Sequence, residues 1–505
     1  MVRTLPASKP GQLHPPRQHA RRSRLVTVDG SPRGLVMFAM AAGASAIGLL
    51  ALGVVGGEAV GSGPDPFVRA LLSASFLFSL IVIVVTSSAR DMQISLQTMM
   101  LYFAIFLILP GYAHVSNNEF PFPGLRYADS VQRDASLMVT MFLPATVIGY
   151  WLARRVIPRR ISKPTVGPLR FRGSVFVASL LLSAAFLGAL LYISTVGIGN
   201  VFQFRSDQRM SGVDVTGFGL MIVLPRVFCT MSLVYGLALW RFTGHKQLGK
   251  LFTALSILPA LVTLWPPILP RSISFGTLLL ISMLYVQYSL PGRRLALSGL
   301  YLFGALVAMP VVDAITRYGA SVFDLSAANV FGRYVNSGDF DGLQSLNNAA
   351  LLVDAEGFSY GHQLISALLF FVPRAIWPDK AEPTGSIAAD IAGYDFVNVS
   401  MPLPGELFVD FGWAGVIVGA LIVGWVLCWV DRYIDSHWIG DAKGRLIAGA
   451  MVGYAIAIYR GTLIGVVAPV AALVVMILIV NKWGLRPIRT SRAPIRRGIA
   501  PIPRD

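Results

Sequence analysis

Apolar residues run along most of this chain in segments of about twenty, each bounded by short polar stretches. A bilayer core needs ~20 apolar residues per helix, with a range of roughly 17–25. On that measure the pattern predicts an all-α polytopic membrane protein with about twelve transmembrane helices. The predicted spans lie near residues 35–56, 67–86, 94–115, 135–153, 173–196, 217–240, 250–269, 273–290, 295–312, 405–430, 444–460 and 462–481.

One interval between the predicted spans is much longer than the others. Residues 313–403 separate the ninth span from the tenth, and they are too apolar for a solvated linker. Within them YGHQLISALLFFV has the apolar face of a helix that Pro373 would end, whereas NSGDFDGLQSLNN is typical of irregular chain. We therefore expect one large loop of short helices, a lid lying on the membrane surface.

Composition agrees with the membrane assignment. The 505 residues are 55% hydrophobic and 13% charged, whereas a soluble protein carries about a quarter charged residues. The net charge of +17 does not point to nucleic acid, because the basic residues gather at both ends and in short loops between spans. Such positions are explained by membrane orientation and by anionic lipid headgroups.

The distribution of Lys and Arg predicts the orientation. With the amino terminus inside, the cytosolic segments hold 30 of the 42 basic residues, so both termini are expected in the cytosol. The first residues are polar and rich in Arg and Pro, without the features of a signal peptide. The predicted organisation is a disordered basic cytosolic tail (1–33), nine spans (34–312), the large extracytoplasmic loop (313–403), three spans (404–481) and a basic cytosolic tail (482–505).

Some basic residues stand where orientation does not require positive charge. Arg226 is the deepest of them, inside a predicted span, where an Arg costs at least ~2.5–3.5 kcal/mol and usually faces a cavity or a partner. Guanidinium groups match phosphate oxygens bidentately and keep their charge, so this set suggests an anionic substrate carried on a lipid. The candidate binding residues are Arg205, Arg209, Arg226, Arg271, Arg374, Lys380 and Arg460.

Two residues are candidates for a general base. Glu406 opens the tenth span, with Asp410 one helical turn further on the same face. His362 lies in the large loop, twelve positions before Arg374, and an imidazole exchanges protons near neutral pH. The residues leave the choice between His362 and Glu406 open.

Several motifs of metal and nucleotide chemistry are absent from the sequence. It contains no HExxH, Walker A loop or paired CxxC, so neither a metal nor another cofactor is expected. Its two cysteines, Cys229 and Cys428, each lie inside an apolar run and are interpreted as small buried side chains.

The layout resembles the O-antigen polymerases, also called oligosaccharide repeat-unit polymerases, which are multispanning proteins with one large outer loop late in the chain. The resemblance implies a glycosyltransferase of the bacterial cytoplasmic membrane that joins undecaprenyl-diphosphate-linked oligosaccharides. A chain-length regulator and a flippase of the same pathway would be its partners. The stretches that carry the resemblance are FRSDQRMSG, PRSISFG, GFSYGHQLISALLFFVPRAIWPDKAEPTGS and PGELFVDFGWAGVIVGAL.

For such a polymerase, His362 or Glu406 would take the proton of the acceptor hydroxyl, and the arginines would hold the donor diphosphate. The diphosphate is a good leaving group, so the chemistry requires no metal. Three alternatives remain at this stage: an O-antigen ligase, a glycosyltransferase that uses a polyprenyl monophosphate sugar, and a transporter or flippase of lipid-linked sugars.

Overall fold

The computed structural model describes the chain from Asp65 to Pro487 with several gaps. The predicted amino-terminal tail, the predicted span at 35–56 and residues 488–505 lie outside the described residues. So does most of 306–333, which covers the end of the predicted ninth span and the first part of the predicted large loop. The described residues are 65–89, 91–122, 126–158, 171–202, 219–265, 271–286, 288, 290–305, 310, 332, 334–397, 399–437 and 442–487.

The regular secondary structure of the described residues is helical apart from two three-residue strands, β1 and β2, that pair antiparallel with Arg172 opposite Arg486. Strand β2 thus gives regular structure to the start of the predicted carboxyl-terminal tail. The elements are α1 Pro66–Ser88, α2 Ile94–Asn117 (π-helical over Phe103–Ile108), α3 Asp129–Val156, β1 Phe171–Gly173, α4 Val175–Val196, α5 Gly219–Phe242, α6 Lys246–Thr263, α7 Arg271–Tyr285, α8 Pro291–Phe303, α9 Gly342–Glu356, α10 His362–Leu368, α11 Thr384–Ile391, α12 Leu403–His437, α13 Ala442–Arg460, α14 Leu463–Ile479 and β2 Leu485–Pro487.

Each predicted span within the described residues overlaps a helix, and six helices there have the length and apolar composition to cross a membrane. This indicates a membrane protein and confirms the helical class. Both cysteines are buried, as predicted. The six helical segments are Pro66–Ser88, Ile94–Asn117, Asp129–Val156, Val175–Val196, Leu403–Ser436 and Leu463–Gly484.

Local signals explain where these helices begin. Asp65 accepts the backbone N–H of Phe67 at 2.9 Å, and Pro66 stands at the first helical position, where its missing N–H costs nothing. Helix α4 starts in the same way, because the hydroxyl of Ser174 accepts the N–H of Val177 at 3.3 Å.

Helix α2 is the centre of the described bundle. Its apolar stretch is buried on every side, and it packs against α1, α9, α12 and α13. A helix that is apolar all round belongs in such a position. Aromatic rings fill the space beside it, with Phe103 5.6 Å from Phe142 and Tyr102 5.7 Å from Tyr459 between ring centroids.

Glycines allow two pairs of helices to approach closely. A Cβ at Gly424 in α12 would lie 2.0 Å from the carbonyl oxygen of Thr146 in α3, and one at Gly453 in α13 would lie 2.4 Å from that of Gly276 in α7. Backbones in contact through small residues are typical of helix packing in membranes. These crossings fix α3 against α12 and α7 against α13.

Helix α12 is folded at Gly412, whose φ of +61° is strained for any other residue. Residues 403–411 turn back along the rest of the helix, so that Leu407 lies against both Gly415 and Gly419. The predicted start of the tenth span is therefore a short separate turn of helix. This turn of helix carries Glu406 and Asp410.

Within its described residues, the predicted large loop contains three short helices, α9 to α11. The position of this loop on the membrane surface stays a prediction, and α9 itself lies inside the protein. Residues 342–350 are buried on all sides. Part of the stretch expected to be irregular forms this helix, because its polar side chains find partners inside the protein. Gln344 bonds to the backbone of Phe122, and Asn348 accepts the Tyr127 hydroxyl at 2.7 Å.

Helix α10 is shorter than the sequence predicts. It ends at Leu368, five residues before the proline expected to terminate it, and the chain continues in turns to residue 381. Ile365, Leu368 and Phe371 are exposed, whereas Ser366 is buried. This helix and the turns after it therefore form an apolar outer face, in contrast to α9.

Candidate functional site

Glu406, one of the two predicted bases, is buried in the folded-back part of α12, with 2% of its surface exposed. One carboxylate oxygen accepts the hydroxyl of Thr384 at 2.6 Å, at the start of α11. The other accepts the backbone N–H of Leu463 at 2.8 Å, at the start of α14. Both oxygens are therefore occupied, and Glu406 ties the beginnings of two other helices to α12.

Asp410, one turn later, does the same for α10. Its carboxylate accepts the backbone N–H groups of Gln363 at 3.2 Å and Leu364 at 3.0 Å, together with the hydroxyl of Ser359 at 2.5 Å. The first N–H groups of a helix lack partners within it, and a negative charge there is stabilising. Asp410 is thus a cap supplied by another helix, and it holds the turn that begins at His362.

His362, the other predicted base, is the first residue of α10 and is exposed. Its imidazole meets the ring of Trp377 edge to face, with 5.9 Å between the centroids. The preceding Gly361 has a φ of +87° and lies against the ring of Phe411, which leaves no room for a side chain. The imidazole is therefore held on a fixed backbone and remains open to solvent.

Lys380 has partners inside the turns that follow α10. The residue is buried, and its ammonium group donates to the carbonyls of Leu369, Phe370 and Val372 at 3.3, 2.7 and 3.0 Å. All of its hydrogen-bonding capacity is used, since an ammonium group has three donors. The structure thus makes Lys380 an organiser of this turn.

Arg374 lies in the same turn but is exposed. Its guanidinium donates to the carbonyls of Lys380 at 2.5 Å and Ala381 at 2.9 Å. The N–H of Ala381 in turn donates to the hydroxyl of Ser366 in α10 at 3.1 Å. A guanidinium has five N–H donors, so this exposed group keeps donors for solvent or for a ligand.

Arg460, at the end of α13, forms a buried ion pair with Asp341. The nitrogen–oxygen distance is 3.2 Å, and the exposed fractions of the two side chains are 14% and 2%. The same guanidinium nitrogen donates to the carbonyl of Gly338 at 2.9 Å, and Asp341 also accepts the hydroxyl of Ser400 at 2.8 Å. The pair joins the end of α13 to the start of α9.

Three buried carboxylates, Asp341, Glu406 and Asp410, therefore connect the elements at this end of the molecule, and we call them the carboxylate cluster. Arg460 and Glu406 are close neighbours in this arrangement, because Leu463 follows Arg460 after two residues. The predicted site residues on the elements that the cluster joins are His362, Arg374, Lys380, Glu406 and Arg460.

The other predicted residues are not shown to meet this group. Arg226, half-buried in α5, donates to the carbonyl of Thr263 at 3.3 Å, and its guanidinium lies 5.7 Å from the centre of the Tyr192 ring. It therefore joins α4, α5 and α6. Arg205 and Arg209 lie outside the described residues, and Arg271 begins α7 with a side chain that is also outside them.

Sequence reasoning missed a second buried group of charges, which we call the arginine cluster: Asp91, Arg154, Arg294 and Arg432. Arg294 is fully buried and donates to the backbone carbonyls of Asp91, at 2.7 Å, and Ala89. The Asp91 carboxylate pairs with Arg154 at 2.8 Å and with Arg432 at 3.4 Å. These arginines were attributed to membrane orientation, and the overlooked signal was an acidic residue standing among them.

Asp431 lies beside this cluster, near the other end of α12. It accepts the N–H of Ser95, in the first turn of α2, at 2.8 Å and the hydroxyl of Tyr150 at 2.9 Å. Asp431 is thus a helix cap supplied by α12, as Asp410 is.

Among the described residues, no group of three or more His, Cys, Asp or Glu side chains is placed to hold a metal ion. Comparisons of the chain with protein-family models, with curated proteins and with solved structures found no match. The chemistry of the site therefore rests on its own residues. They provide an exposed imidazole that can accept a proton and an exposed guanidinium that can bind an anion.

Proposed function

We propose that this protein is a glycan polymerase of the bacterial cytoplasmic membrane. It joins undecaprenyl-diphosphate-linked oligosaccharide repeat units into O-antigen-like or exopolysaccharide chains. The observation that carries the proposal is the exposed His362, held by the Asp410 cap, with the exposed Arg374 on the following turn. One side chain can take a hydroxyl proton and the other can bind phosphate.

The proposed topology has twelve spans, both termini in the cytosol and the large loop on the outer face of the membrane. It is supported by the location of 30 of the 42 Lys and Arg residues in the segments assigned to the cytosol. Lipid-linked repeat units would then reach the site from the outer leaflet.

In the proposed reaction, an acceptor sugar hydroxyl attacks the anomeric carbon of the donor. A carbon–oxygen bond forms to the acceptor, and the bond to the diphosphate oxygen breaks, so the lipid diphosphate leaves with the electron pair. His362 takes the hydroxyl proton. Glu406 has both oxygens engaged inside the protein, and we therefore assign it the positioning of α11 and α14.

The diphosphate needs cationic donors that the protein has not already used. Arg374 fits this role because it is exposed and has N–H donors beyond the two bonds it makes within the chain, whereas Lys380 and Arg460 are largely buried with their partners and are assigned to holding the site together. Arg205, Arg209, Arg226 and Arg271 stay in the proposal as further diphosphate ligands, on the strength of their sequence positions. Five of the predicted site residues lie on elements that the carboxylate cluster joins. This supports an enzyme over a flippase, because the basic residues of a flippase would line a path through the membrane.

The test is deletion of the gene in its host, with sizing of both the surface glycan and the lipid-linked glycan. A polymerase predicts single repeat units on the surface, restored to long chains by the wild-type gene and not by the His362→Ala variant. Repeat units trapped inside the cell would instead identify a flippase. Full-length chains left on the lipid carrier would identify a ligase, and unchanged surface glycan would refute all of these functions.

A further inference from the structure

A patch of aromatic rings lies outside the site described so far. Tyr394 and Phe396 are stacked, with centroids 5.4 Å apart and planes 8° from parallel. Phe122 meets both rings edge to face, at 5.6 and 4.9 Å. We call these three residues the aromatic patch. Phe396 is 36% exposed and Tyr394 is half-buried, so part of the ring surface is open to solvent.

Buried amides hold the patch in place. The Tyr394 hydroxyl accepts from Gln344 at 2.9 Å and from Asn348 at 3.3 Å, and it lies 3.0 Å from the Tyr127 hydroxyl. Gln344 also bonds both the N–H and the carbonyl of Phe122, at 2.9 and 2.8 Å. Burial raises the pKa of Tyr127, so its phenol stays protonated and donates to Asn348. The rings are therefore preorganised by α9.

The segment that carries Tyr394 and Phe396 is acidic, and the exposed Arg126, beside Tyr127, is a basic residue on the facing segment. Residues 381–402 include Glu382, Asp390 and Asp395 and contain no Lys or Arg. Asp395 stands between the two stacked residues in sequence and is exposed. The negative charges of this segment favour a neutral ligand over a diphosphate or a nucleic acid, because like charges in proximity are unfavourable.

A sugar ring fits both the aromatic surface of the patch and the acidic residue beside it in the sequence. Its C–H face is apolar and packs on an aromatic ring, whereas its hydroxyls donate hydrogen bonds that a carboxylate accepts. Binding sites commonly combine apolar surface with a few polar groups that fix orientation. Phe396 and Tyr394 supply the ring surface, and the exposed Asp395, between them in the sequence, is the carboxylate nearest to them along the chain.

The patch is also at a useful distance from the carboxylate cluster. Thr384, which donates to Glu406, begins α11, and the patch follows the end of that helix. Eight residues of helix span ~12 Å at 1.5 Å per residue. A sugar on the patch would therefore be separate from the one that reacts, yet could belong to the same oligosaccharide.

We propose that Tyr394, Asp395 and Phe396 form a sugar-binding subsite that holds the glycan of a lipid-linked repeat unit away from its diphosphate. This assignment rests on the proposed polymerase function, because it takes the repeat unit as its ligand. Binding is measured separately from turnover, so that the two proposals can fail independently.

The experiment uses the full chain in lipid nanodiscs, which avoids detergents with sugar headgroups. The probe is the repeat-unit oligosaccharide released by mild acid from the host's lipid-linked pool, without diphosphate. Saturation-transfer NMR is expected to show contacts to sugar C–H protons, and Phe396→Ala should weaken binding at least ~10-fold. The matched control is Phe371→Ala, which removes an exposed phenylalanine from the turn after α10 and should leave binding unchanged.

Asp395→Asn serves as a second variant, because it preserves the shape of the patch and removes the charged acceptor; it should also weaken binding. Absence of transfer to the wild-type protein, or equal transfer in Phe396→Ala and wild type, would overturn the subsite. Displacement of the oligosaccharide by an equal concentration of inorganic diphosphate would overturn it too. A host deletion that keeps full-length glycan refutes the polymerase and leaves the binding result intact.

Discussion

The two ends of α12 use the same device for different purposes. Asp410 caps the start of α10, and Asp431 caps the start of α2, each with a buried carboxylate that accepts backbone N–H groups. The stretch from Gly412 to Asp431 spans ~28 Å of helix at 1.5 Å per residue, close to the ~30 Å of a bilayer core. A single helix thus organises the polar layers at both of its ends.

What differs is the exposure of the basic residues at the two ends. Beside Asp431 the arginine cluster is closed, because Asp91 is paired with both Arg154 and Arg432 and Arg294 is buried on backbone carbonyls. On the helix that Asp410 caps and in the turn after it, in contrast, His362 and Arg374 stay exposed. Buried carboxylates alone therefore do not identify a functional site. The end that holds an exposed imidazole and an exposed guanidinium close together along the chain is the candidate for chemistry, and the other end is an anchor.

The largest expected effect is that of His362→Ala on activity. A positioned general base contributes about 10²–10⁴-fold, so chain extension should fall by that factor. Thermal unfolding of the purified protein should not change, because the imidazole is exposed and its described contact is with the Trp377 ring. Glycan length in the complemented deletion strain and a melting curve are the two measurements.

Ile365→Ala is a matched control for that variant. It lies on the same short helix, is 49% exposed and removes apolar side-chain atoms without touching the proposed chemistry. Chain extension should stay within about twofold of wild type, as for most exposed substitutions. Full activity of His362→Ala would show that His362 is not the general base. The proposed functional difference between the two ends of α12 would then be wrong.

Arg294→Met tests how much the arginine cluster contributes to the stability of the fold. Methionine fills much of the arginine volume but leaves the carbonyls of Asp91 and Ala89 without their buried donor. Each unsatisfied buried group costs about 1–3 kcal/mol, so the free energy of unfolding should drop by ~3 kcal/mol. The measurement is the fraction of folded protein after heating, followed by size-exclusion chromatography.

The same substitution at exposed Arg155, next to Arg154, provides the comparison. Arg155→Met should change the unfolding free energy by no more than ~0.5 kcal/mol. If Arg294→Met were equally stable but inactive, the arginine cluster would be a second functional site rather than an anchor.

Arg460→Met tests whether Arg460 stabilises the fold, as the arginine cluster does, or takes part in the proposed chemistry. Its removal leaves Asp341 buried with the hydroxyl and N–H of Ser400 as remaining donors, so we expect a loss of ~2 kcal/mol in unfolding free energy. Adding Asp341→Asn removes the unpaired charge and should restore most of that loss. A double-mutant cycle on thermal unfolding measures this coupling.

The alternative is that Arg460 binds the diphosphate, as the sequence suggested. In that case Arg460→Met would abolish chain extension without loss of stability, and Asp341→Asn would not compensate. The first result makes Arg460 a structural residue, and the second makes it a ligand of the diphosphate.

The sequence predicted the helices well because apolar runs of membrane length have few alternatives. It failed where polarity was taken as a sign of exposure. Gln344 and Asn348 are polar and fully buried, because they bond to Phe122 and Tyr127 from a part of the chain more than 200 residues away. No local pattern reports such partners.

The candidate site was predicted in part for the same reason. The residue types at His362, Glu406 and Arg374 could be chosen from their positions, since charge near an apolar span requires an explanation. Whether each group is free or already bonded depends on tertiary contacts. Lys380, which bonds three carbonyls of its own turn, shows that the same residue type can be structural.

The smallest effect is expected from Glu406→Gln. This variant tests whether Glu406, rather than His362, is the general base. The glutamine oxygen can still accept the N–H of Leu463, and its amide can donate to the hydroxyl of Thr384, so both links of Glu406 survive. Chain extension should therefore remain within about threefold of wild type, since a retained hydrogen bond costs at most a few tenths of a kcal/mol.

Glu406→Ala is the informative partner of that variant, because it removes both links. The unfolding free energy should then fall by about 1–3 kcal/mol, and activity should fall with it as α11 and α14 lose their attachment to α12. If Glu406 were the base, the order would invert: Glu406→Gln, which cannot take a proton, would lose about 10²–10⁴-fold while staying as stable as wild type. Rescue by the amide thus distinguishes a carboxylate that positions helices from one that performs chemistry.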